Sequence, residues 1–184
     1  MALSPTAYVI LGMVSREARS GYEIKALVDN TTRFFWAASY GQIYPELRKL
    51  SEAGLIEGAD APRGDRKRTV YAITAEGEEQ LKAWLRQPPQ TFEMREEGLL
   101  KLFFAGLLEP DEAAGTLRAM SAYRRGLAER LRALEPLAEE KEHEKDDPYP
   151  LMVLRGGIEF NQWFAEWCER MEANLPGPAR PERS

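Results

Sequence analysis

The sequence predicts a mainly α-helical protein with one small β-hairpin, built as two modules and a tail. Three observations lead to this prediction. Apolar residues recur at helical spacing through most of the chain, and several such stretches begin at an N-capping residue. Residues 68–74 instead have a β-branched and aromatic composition, which is typical of a strand. A Gln-Pro-Pro-Gln segment at residues 87–90 then interrupts the helical pattern, because proline cannot continue a helix.

The first module begins with three helices, each with its own start signal. Ser4 suits the N-cap of the first helix. Ser20 and Glu23 fit a capping box, in which side chains and backbone amides at a helix start satisfy one another, and Ser39 and Gln42 fit a second one. The apolar residues that we expect to face the core of this module are Ala7, Ile10, Leu11, Val14, Ile24, Leu27, Val28, Ile43, Leu47 and Leu50.

The pattern after the third helix predicts a hairpin and then a fourth helix. Residues 55–57 and 68–74 are separated by a loop that contains Pro62 and Gly64, which is typical of two paired strands. A capped stretch at helical spacing follows. The order of helix, helix, helix, hairpin and helix is that of a winged helix-turn-helix domain, which we assign to residues 1–86.

Charge is divided unevenly between the two halves of the chain. Residues 1–85 carry 11 basic and 11 acidic side chains, whereas residues 86–184 carry 14 and 19, so the net charge of −5 belongs to the second half. Overall acidity disfavours a protein that coats nucleic acid or membranes indiscriminately, but it permits a local basic patch. The hairpin tip is such a patch, since residues 63–68 hold four cations and one anion.

Two surfaces of the first module predict contact with DNA. The hairpin tip can reach phosphates or a narrow minor groove. The third helix can enter the major groove, where glutamine and arginine read base edges. The candidates are Tyr40, Gln42, Tyr44, Arg48 and Lys49 on the helix, and Arg66, Lys67 and Arg68 on the wing. A solvated helix face and an ordinary polar loop remain the alternative, and the Tyr44 ring can also pack inside the module.

These stretches resemble the PadR-like transcriptional regulators over most of residues 3–85. The shared motifs are Gly-Tyr-Glu-Ile at 21–24, Gly-Gln-Ile-Tyr-Pro-Glu-Leu-Arg-Lys-Leu at 41–50, Gly-Leu-Ile at 54–56 and Arg-Lys-Arg-Thr-Val-Tyr-Ala-Ile-Thr at 66–74. The resemblance implies a homodimer, usually a repressor, that binds a pseudo-palindromic operator. It places the third helix in the major groove and the wing on the flanking backbone.

The second module, residues 93–175, is predicted to be helical and to follow a linker at residues 87–92. The resemblance makes it a dimerisation domain, since residues 154–158 are loosely similar to the final helix of that domain in longer family members. A helix is expected from Glu96 to Leu108. The tail, residues 176–184, is rich in proline and charge and is predicted to be disordered.

The helix that begins near Pro110 has the pattern of a coiled-coil seam. Its apolar residues follow alternating steps of three and four, which extends over about three heptads, and Arg124 takes the one polar step. Pro136 predicts a kink or a helix end. The apolar seam residues are Leu117, Met120, Leu127, Leu131, Leu134 and Ala138.

Aromatic residues recur at helical spacing along the last helix: Phe160, Trp163, Phe164 and Trp167. Packing between protomers is one explanation of this stripe. The other is a binding site for a small aromatic effector, because tryptophan faces suit stacking. The resemblance is compatible with such a site, since some relatives bind aromatic or drug-like ligands between their dimer helices.

Several functions are disfavoured by composition. The single cysteine, Cys168, excludes an intrachain disulfide, and the single histidine, His143, excludes a multi-histidine metal site. No glycine loop has the spacing of a phosphate cradle. The apolar run at residues 7–14 is too short to span a membrane and lacks the basic flank of a signal peptide. We therefore expect a cytoplasmic protein with no catalytic site, metal or cofactor. The alternative is a winged-helix protein-interaction module that does not bind DNA.

Overall fold

The computed structural model describes residues 3–63, 66–90 and 94–175, and the chain divides into two compact units, residues 1–92 and residues 93–184. Helices dominate both units, and the one sheet that the described residues form lies in the first. The predicted mainly α-helical class with a small β-hairpin is therefore confirmed.

The first unit combines helices with a three-stranded antiparallel sheet. Its elements are α1 (Pro5–Val14), β1 (Arg19–Ser20), α2 (Gly21–Asn30), α3 (Tyr40–Glu52), β2 (Ile56–Arg63), β3 (Arg66–Ile73) and α4 (Ala75–Leu85), with a 3₁₀ turn at Thr32–Phe34. The helices begin where capping residues predict. The Ser4 hydroxyl accepts a hydrogen bond from the Ala7 amide at 3.1 Å, and the Thr74 hydroxyl accepts one from the Gly77 amide at 3.1 Å.

The helices of the first unit enclose one apolar core. The fully or nearly fully buried side chains include Ala7, Ile10, Leu11, Val14, Ile24, Val28, Ile43, Leu47, Leu50, Leu55 and Ile56. Almost all of them are positions that the helical spacing assigns to the inward face. This core fixes α3 against α1 and α2, so the outer face of α3 has a defined orientation.

The sheet differs from the predicted two-stranded hairpin by one strand. Its order is β1-β3-β2, with β3 in the middle. The β2–β3 ladder runs from Ile56 opposite Ile73 to Arg63 opposite Arg66, and β1 adds Ser20 opposite Val70. Two residues are too few to show the alternation that identifies a strand, so the sequence pattern contained no signal for β1.

The second unit contains four helices among its described residues, namely α5 (Glu97–Phe103), α6 (Pro110–Arg132), α7 (Glu135–Lys145) and α8 (Tyr149–Ala173). The predicted helix from Glu96 to Leu108 is wrong at its end, because α5 stops at Phe103 and a 3₁₀ turn follows at Ala105–Leu107. Pro136 does mark a helix boundary, since α6 ends at Arg132 and Pro136 lies in the first turn of α7.

The apolar seam of α6 packs against α8 of the same chain. Leu117 and Met120 on α6 form a buried cluster with Phe164 and Cys168 on α8. The prediction of one three-heptad seam is wrong, because the last seam residue, Ala138, lies on the separate helix α7. An apolar stripe specifies only that another apolar surface covers it, and α8 supplies that surface here.

The described residues limit two further predictions. Most of the predicted linker is described, but residues 91 and 92 are not, and the tail at 176–184 also lies outside the described residues. Within the ranges that are described, no helix is both long and apolar enough to cross a membrane.

Candidate nucleic-acid interface

Helix α3 turns one face to the core and exposes the residues predicted to contact DNA. Ile43, Leu47 and Leu50 are buried. At 100° per residue, Tyr40, Tyr44 and Arg48 form one stripe beside the buried face, and Gln42 and Lys49 form a second stripe on its other side. All five of these side chains are exposed.

Gly41 lies on the outward surface of α3, between the two stripes. A Cβ atom built there would meet only the Ser39 hydroxyl, at 3.8 Å. The packing of the chain itself therefore does not require glycine at this position. A residue without a side chain instead leaves the helix backbone open to close approach from outside.

Gln42 is already engaged at the start of α3. Its Oε1 accepts a hydrogen bond from the Ser39 amide at 2.9 Å and another from the Ser39 hydroxyl at 3.1 Å. This capping arrangement leaves the Nε2 donor available. Bidentate recognition of adenine needs both the oxygen and the nitrogen, so it would require Gln42 to leave the cap.

The two tyrosines of the first stripe support each other. Their ring centroids lie 6.1 Å apart with planes 21° apart, and about half of each side chain is exposed. The Tyr44 ring lies against Gly21, where an added Cβ would come within 2.8 Å of Cε1. Lys25 lies behind them, with its Nζ 5.4 Å from the Tyr40 ring centroid. The Tyr44 ring therefore packs against Gly21 and is also about half exposed, so both interpretations of this residue hold in part.

The two cations of α3 differ in their surroundings. Lys49 pairs with Glu46, with Nζ 2.8 Å from Oε1. Arg48 is exposed and has no hydrogen-bond or ion-pair partner among the described residues. Of the two, Arg48 can approach an external anion or base without losing an internal contact.

The wing carries the second predicted surface. The backbone ladder of β2 and β3 extends to Arg63 and Arg66. The structure describes the backbone of Arg66 and Lys67 but not their side chains, so their predicted contact with DNA stays a prediction. Arg68 lies further down β3, and its Nη1 is 2.6 Å from Oε1 of Glu23.

Glu23 connects α2 to the sheet. Its Oε2 accepts hydrogen bonds from the Ser20 amide and hydroxyl, both at 2.8 Å, while its Oε1 faces Arg68. Hydrogen bonds from Ser20, assisted by Arg68, lower the pKa of Glu23 to about 2. The capping box was predictable from the sequence, but the ion pair between Glu23 and Arg68 was not, because nothing in the sequence shows that β3 lies beside α2.

The aromatic residues predicted to bind an effector meet around Phe164 in the second unit. The Phe164 centroid lies 6.0 Å from Phe160, 6.1 Å from Trp163 and 5.5 Å from Trp167. Phe164 is buried, whereas Phe160 and Trp163 are about half exposed. The four residues therefore form one cluster with an exposed edge.

Arg124 is a member of this cluster that sequence reasoning did not assign to it. Its guanidinium carbon lies 4.5 Å from the Phe164 centroid and 5.7 Å from that of Phe160. Nη1 donates to Asn161 Oδ1 at 3.0 Å, and Nη2 pairs with Glu96. Its position as the polar step of an apolar seam was the signal that could have identified it.

Comparison with known proteins matches both units. Residues 10–83 match the family described as transcriptional regulator PadR-like, and residues 94–176 match the family described as virulence activator alpha C-term. The negative transcriptional regulator PadR of Bacillus subtilis is 28% identical over 174 residues, which cover 91% of this chain and 96% of that protein.

Solved structures agree with this match. The crystal structure of Bacillus subtilis PadR in complex with operator DNA has a TM-score of 0.84 and 27% identity, and the match covers 94% of this chain and 98% of that chain. The crystal structure of the same protein in complex with p-coumaric acid has a TM-score of 0.68 and 27% identity, covering 94% and 97%. The chain therefore belongs to the PadR-like family of transcriptional regulators, and its first unit is a winged helix.

Proposed function

We propose that this protein is a homodimeric transcriptional repressor that binds a pseudo-palindromic operator through α3 and the wing. The observation that carries this proposal is the outer face of α3, where Arg48 has no partner among the described residues and Gly41 leaves the backbone open. The similarity to Bacillus subtilis PadR in complex with operator DNA supports it. Such a regulator acts on chromosomal DNA, which supports the expected cytoplasmic location.

The proposal fixes the geometry of the operator. Two recognition helices that read one face of B-DNA lie about 34 Å apart, one helical turn. The half-sites are therefore centred about ten base pairs apart, or at a multiple of this spacing. Contact with about four phosphates by each protomer gives a log–log salt dependence of the binding constant with a slope near −7.

Selection of bound sequences from a random pool of duplexes tests this proposal. We expect an enriched motif with dyad symmetry and the stated half-site spacing. Arg48→Ala is expected to reduce binding to the motif most, whereas Lys67→Ala is expected to reduce binding to all duplexes about equally. A pool without enrichment would contradict the proposal and favour a protein partner.

We also propose that the Phe164 cluster binds a planar aromatic carboxylate whose binding releases DNA. The cluster offers two half-exposed rings, Phe160 and Trp163, next to the Arg124 guanidinium. Stacking on the rings suits such a molecule, and Arg124 would have to exchange Glu96 for the carboxylate of the ligand in order to pair with it. The p-coumaric acid complex of Bacillus subtilis PadR supports an aromatic acid as the class of ligand.

Titration with p-coumaric acid, followed by tryptophan fluorescence and by operator release, tests this site. Trp163→Phe is expected to reduce the fluorescence change strongly and keep the fold, and the change that remains would come from Trp167 of the same cluster. The matched control is Trp84→Phe, which removes a tryptophan that stacks on Tyr8 in the first unit, with centroids 4.5 Å apart. An unchanged signal in Trp163→Phe, or one lost in Trp84→Phe, would contradict this location.

A further inference from the structure

We propose that Arg68 is a positioning residue, which holds the wing against α2 through Glu23, and that it is not a phosphate contact. This inference rests on the proposed DNA-binding function and reassigns one of its residues. We name the contact pair Glu23–Arg68 the wing clamp. The two residues are 45 positions apart in sequence and meet at 2.6 Å.

The Arg68 side chain is largely enclosed. Only about a third of its side chain is exposed, and its Nε is buried without a hydrogen-bond partner among the described residues. A guanidinium that reaches for phosphate needs to extend into solvent, as that of Arg48 can. Arg68 would first have to leave Glu23, at the cost of a charge-assisted hydrogen bond.

Glu23 lies at a junction between α2 and the sheet. One carboxylate oxygen holds the amide and hydroxyl of Ser20, and the other holds Arg68. Ser20 is also the residue of β1 that lies opposite Val70 on β3. Because side chains two residues apart share a face of a strand, Arg68 and Val70 lie on the same side of β3. The wing clamp thus joins α2 to β3 through side chains, next to the point where the short β1–β3 pairing joins the same two parts of the chain through the backbone.

The backbone connection between β1 and β3 is short. β1 pairs only Arg19 and Ser20 with β3, whereas β2 and β3 pair along eight residues each. Leu55 and Ile56 hold the base of the hairpin in the core, but the pairing of β1 with β3 ends at Ser20 and Val70, and β2 and β3 continue beyond it. An ion pair at this point, toward the tip, fixes the angle of the outer part of the hairpin and presets the wing for the DNA backbone.

Glu23→Gln separates positioning from direct contact, because the single oxygen of glutamine can keep the capping box with Ser20, while its Nε2 replaces the charged acceptor that faces Arg68. We expect about tenfold weaker operator binding in Glu23→Gln, although the protein loses a negative charge. The matched control is Glu57→Gln, which neutralises an exposed carboxylate of the same unit on β2. It is expected to leave binding unchanged or to strengthen it slightly.

Arg68→Ala completes the cycle of substitutions. We expect the same tenfold loss, no additional loss in the double variant with Glu23→Gln, and an unchanged salt slope. Lys67→Ala serves as the wing control, with a salt slope smaller in magnitude by about 1, as the loss of a phosphate contact requires. A slope that is likewise smaller in Arg68→Ala, together with tighter binding in Glu23→Gln, would overturn the proposal and make Arg68 a phosphate contact.

Hydrogen exchange of the DNA-free protein measures the clamp itself. Glu23→Gln is expected to speed amide exchange at residues 68–72 and to leave α3 protected. Equal exchange in both proteins would overturn the clamp. If the unaltered protein bound DNA with a slope near zero, the proposed function would fail instead, and the exchange measurement would still test the clamp.

Discussion

The two units of this chain complete their cores differently. The first unit buries its apolar helix faces within itself, around Ile10, Ile24 and Leu47. The second unit buries a smaller cluster between α6 and α8 and leaves many large apolar side chains in contact with solvent. These exposed side chains include Leu100, Phe103, Leu107, Tyr149, Met152 and Trp163.

This difference separates recognition from assembly. A unit with a closed core holds its surface residues in a fixed geometry, which α3 and the wing require in order to meet DNA. Exposed apolar patches of this extent mark interaction surfaces in soluble proteins. The second unit therefore offers the surface that a partner protomer would cover, in agreement with the proposed homodimer.

The largest expected effect is the loss of a core leucine from the first unit. Leu47 on α3 is almost fully buried, so Leu47→Ala is expected to destabilise the protein by about 2–5 kcal/mol through lost burial and the cavity left behind. Urea unfolding measures this change. Leu85→Ala is the matched control, because this leucine of the same unit is exposed and lies outside the proposed dimer surface. An equal loss of stability in both variants would contradict a closed core around Leu47.

Charge on the exposed face of α5 tests assembly. Phe103 is 82% exposed, so Phe103→Glu is expected to leave the helical content unchanged. It is expected to weaken self-association about thirtyfold, or about 2 kcal/mol, if this ring is anchored in the dimer. Sedimentation equilibrium measures the association constant. Lys141→Gln on α7 is the control for charge, since it makes the net charge more negative by one, as Phe103→Glu does. Equal association of Phe103→Glu and the unaltered protein would exclude this face from the dimer.

Gly41→Ala is expected to change stability and DNA binding in opposite directions. Alanine favours a helix by up to about 1 kcal/mol over glycine, and an added Cβ meets no close neighbour in the chain. The thermal midpoint is therefore expected to rise slightly, while operator binding weakens several-fold because the methyl group obstructs close approach. Binding that stays unchanged in a stabilised variant would show that the duplex does not approach α3 at this point.

The smallest expected effect is on acid stability. The folded protein holds the pKa of Glu23 at about 2, below its ordinary value of 4.5. The stabilisation from this carboxylate is fully present above pH 4.5 and is lost as the pH falls towards 2. Glu23→Gln is thus expected to show a smaller decline in urea midpoint between pH 5 and pH 3, and an equal decline would contradict the assignment.

The helices that carry a capping box were predictable because their signal is local. Ser20 with Glu23 and Ser39 with Gln42 mark the starts of α2 and α3 within four residues. The inward face of α3 followed from spacing alone, and so did the exposure of Arg48. Local patterns therefore account for the recognition helix and most of the first core.

Features that depend on distant contacts were not predictable. The Glu23–Arg68 contact needs α2 and β3 side by side, and the Arg124–Glu96 pair needs α5 folded back on α6. The seam of α6 showed an apolar stripe but not its partner, since helix periodicity specifies a face and not what covers it. Arg68 therefore looked like a free wing cation, and the structure instead shows it paired with Glu23.

Equilibrium binding to the selected operator and to a scrambled duplex, across a series of salt concentrations, tests the central claim most directly. The account predicts tighter binding to the operator and a log–log slope near −7 for the dimer, with the operator preference reduced in Arg48→Ala. Equal affinity for the two duplexes, or a slope near zero, would contradict a DNA-binding role for α3 and the wing.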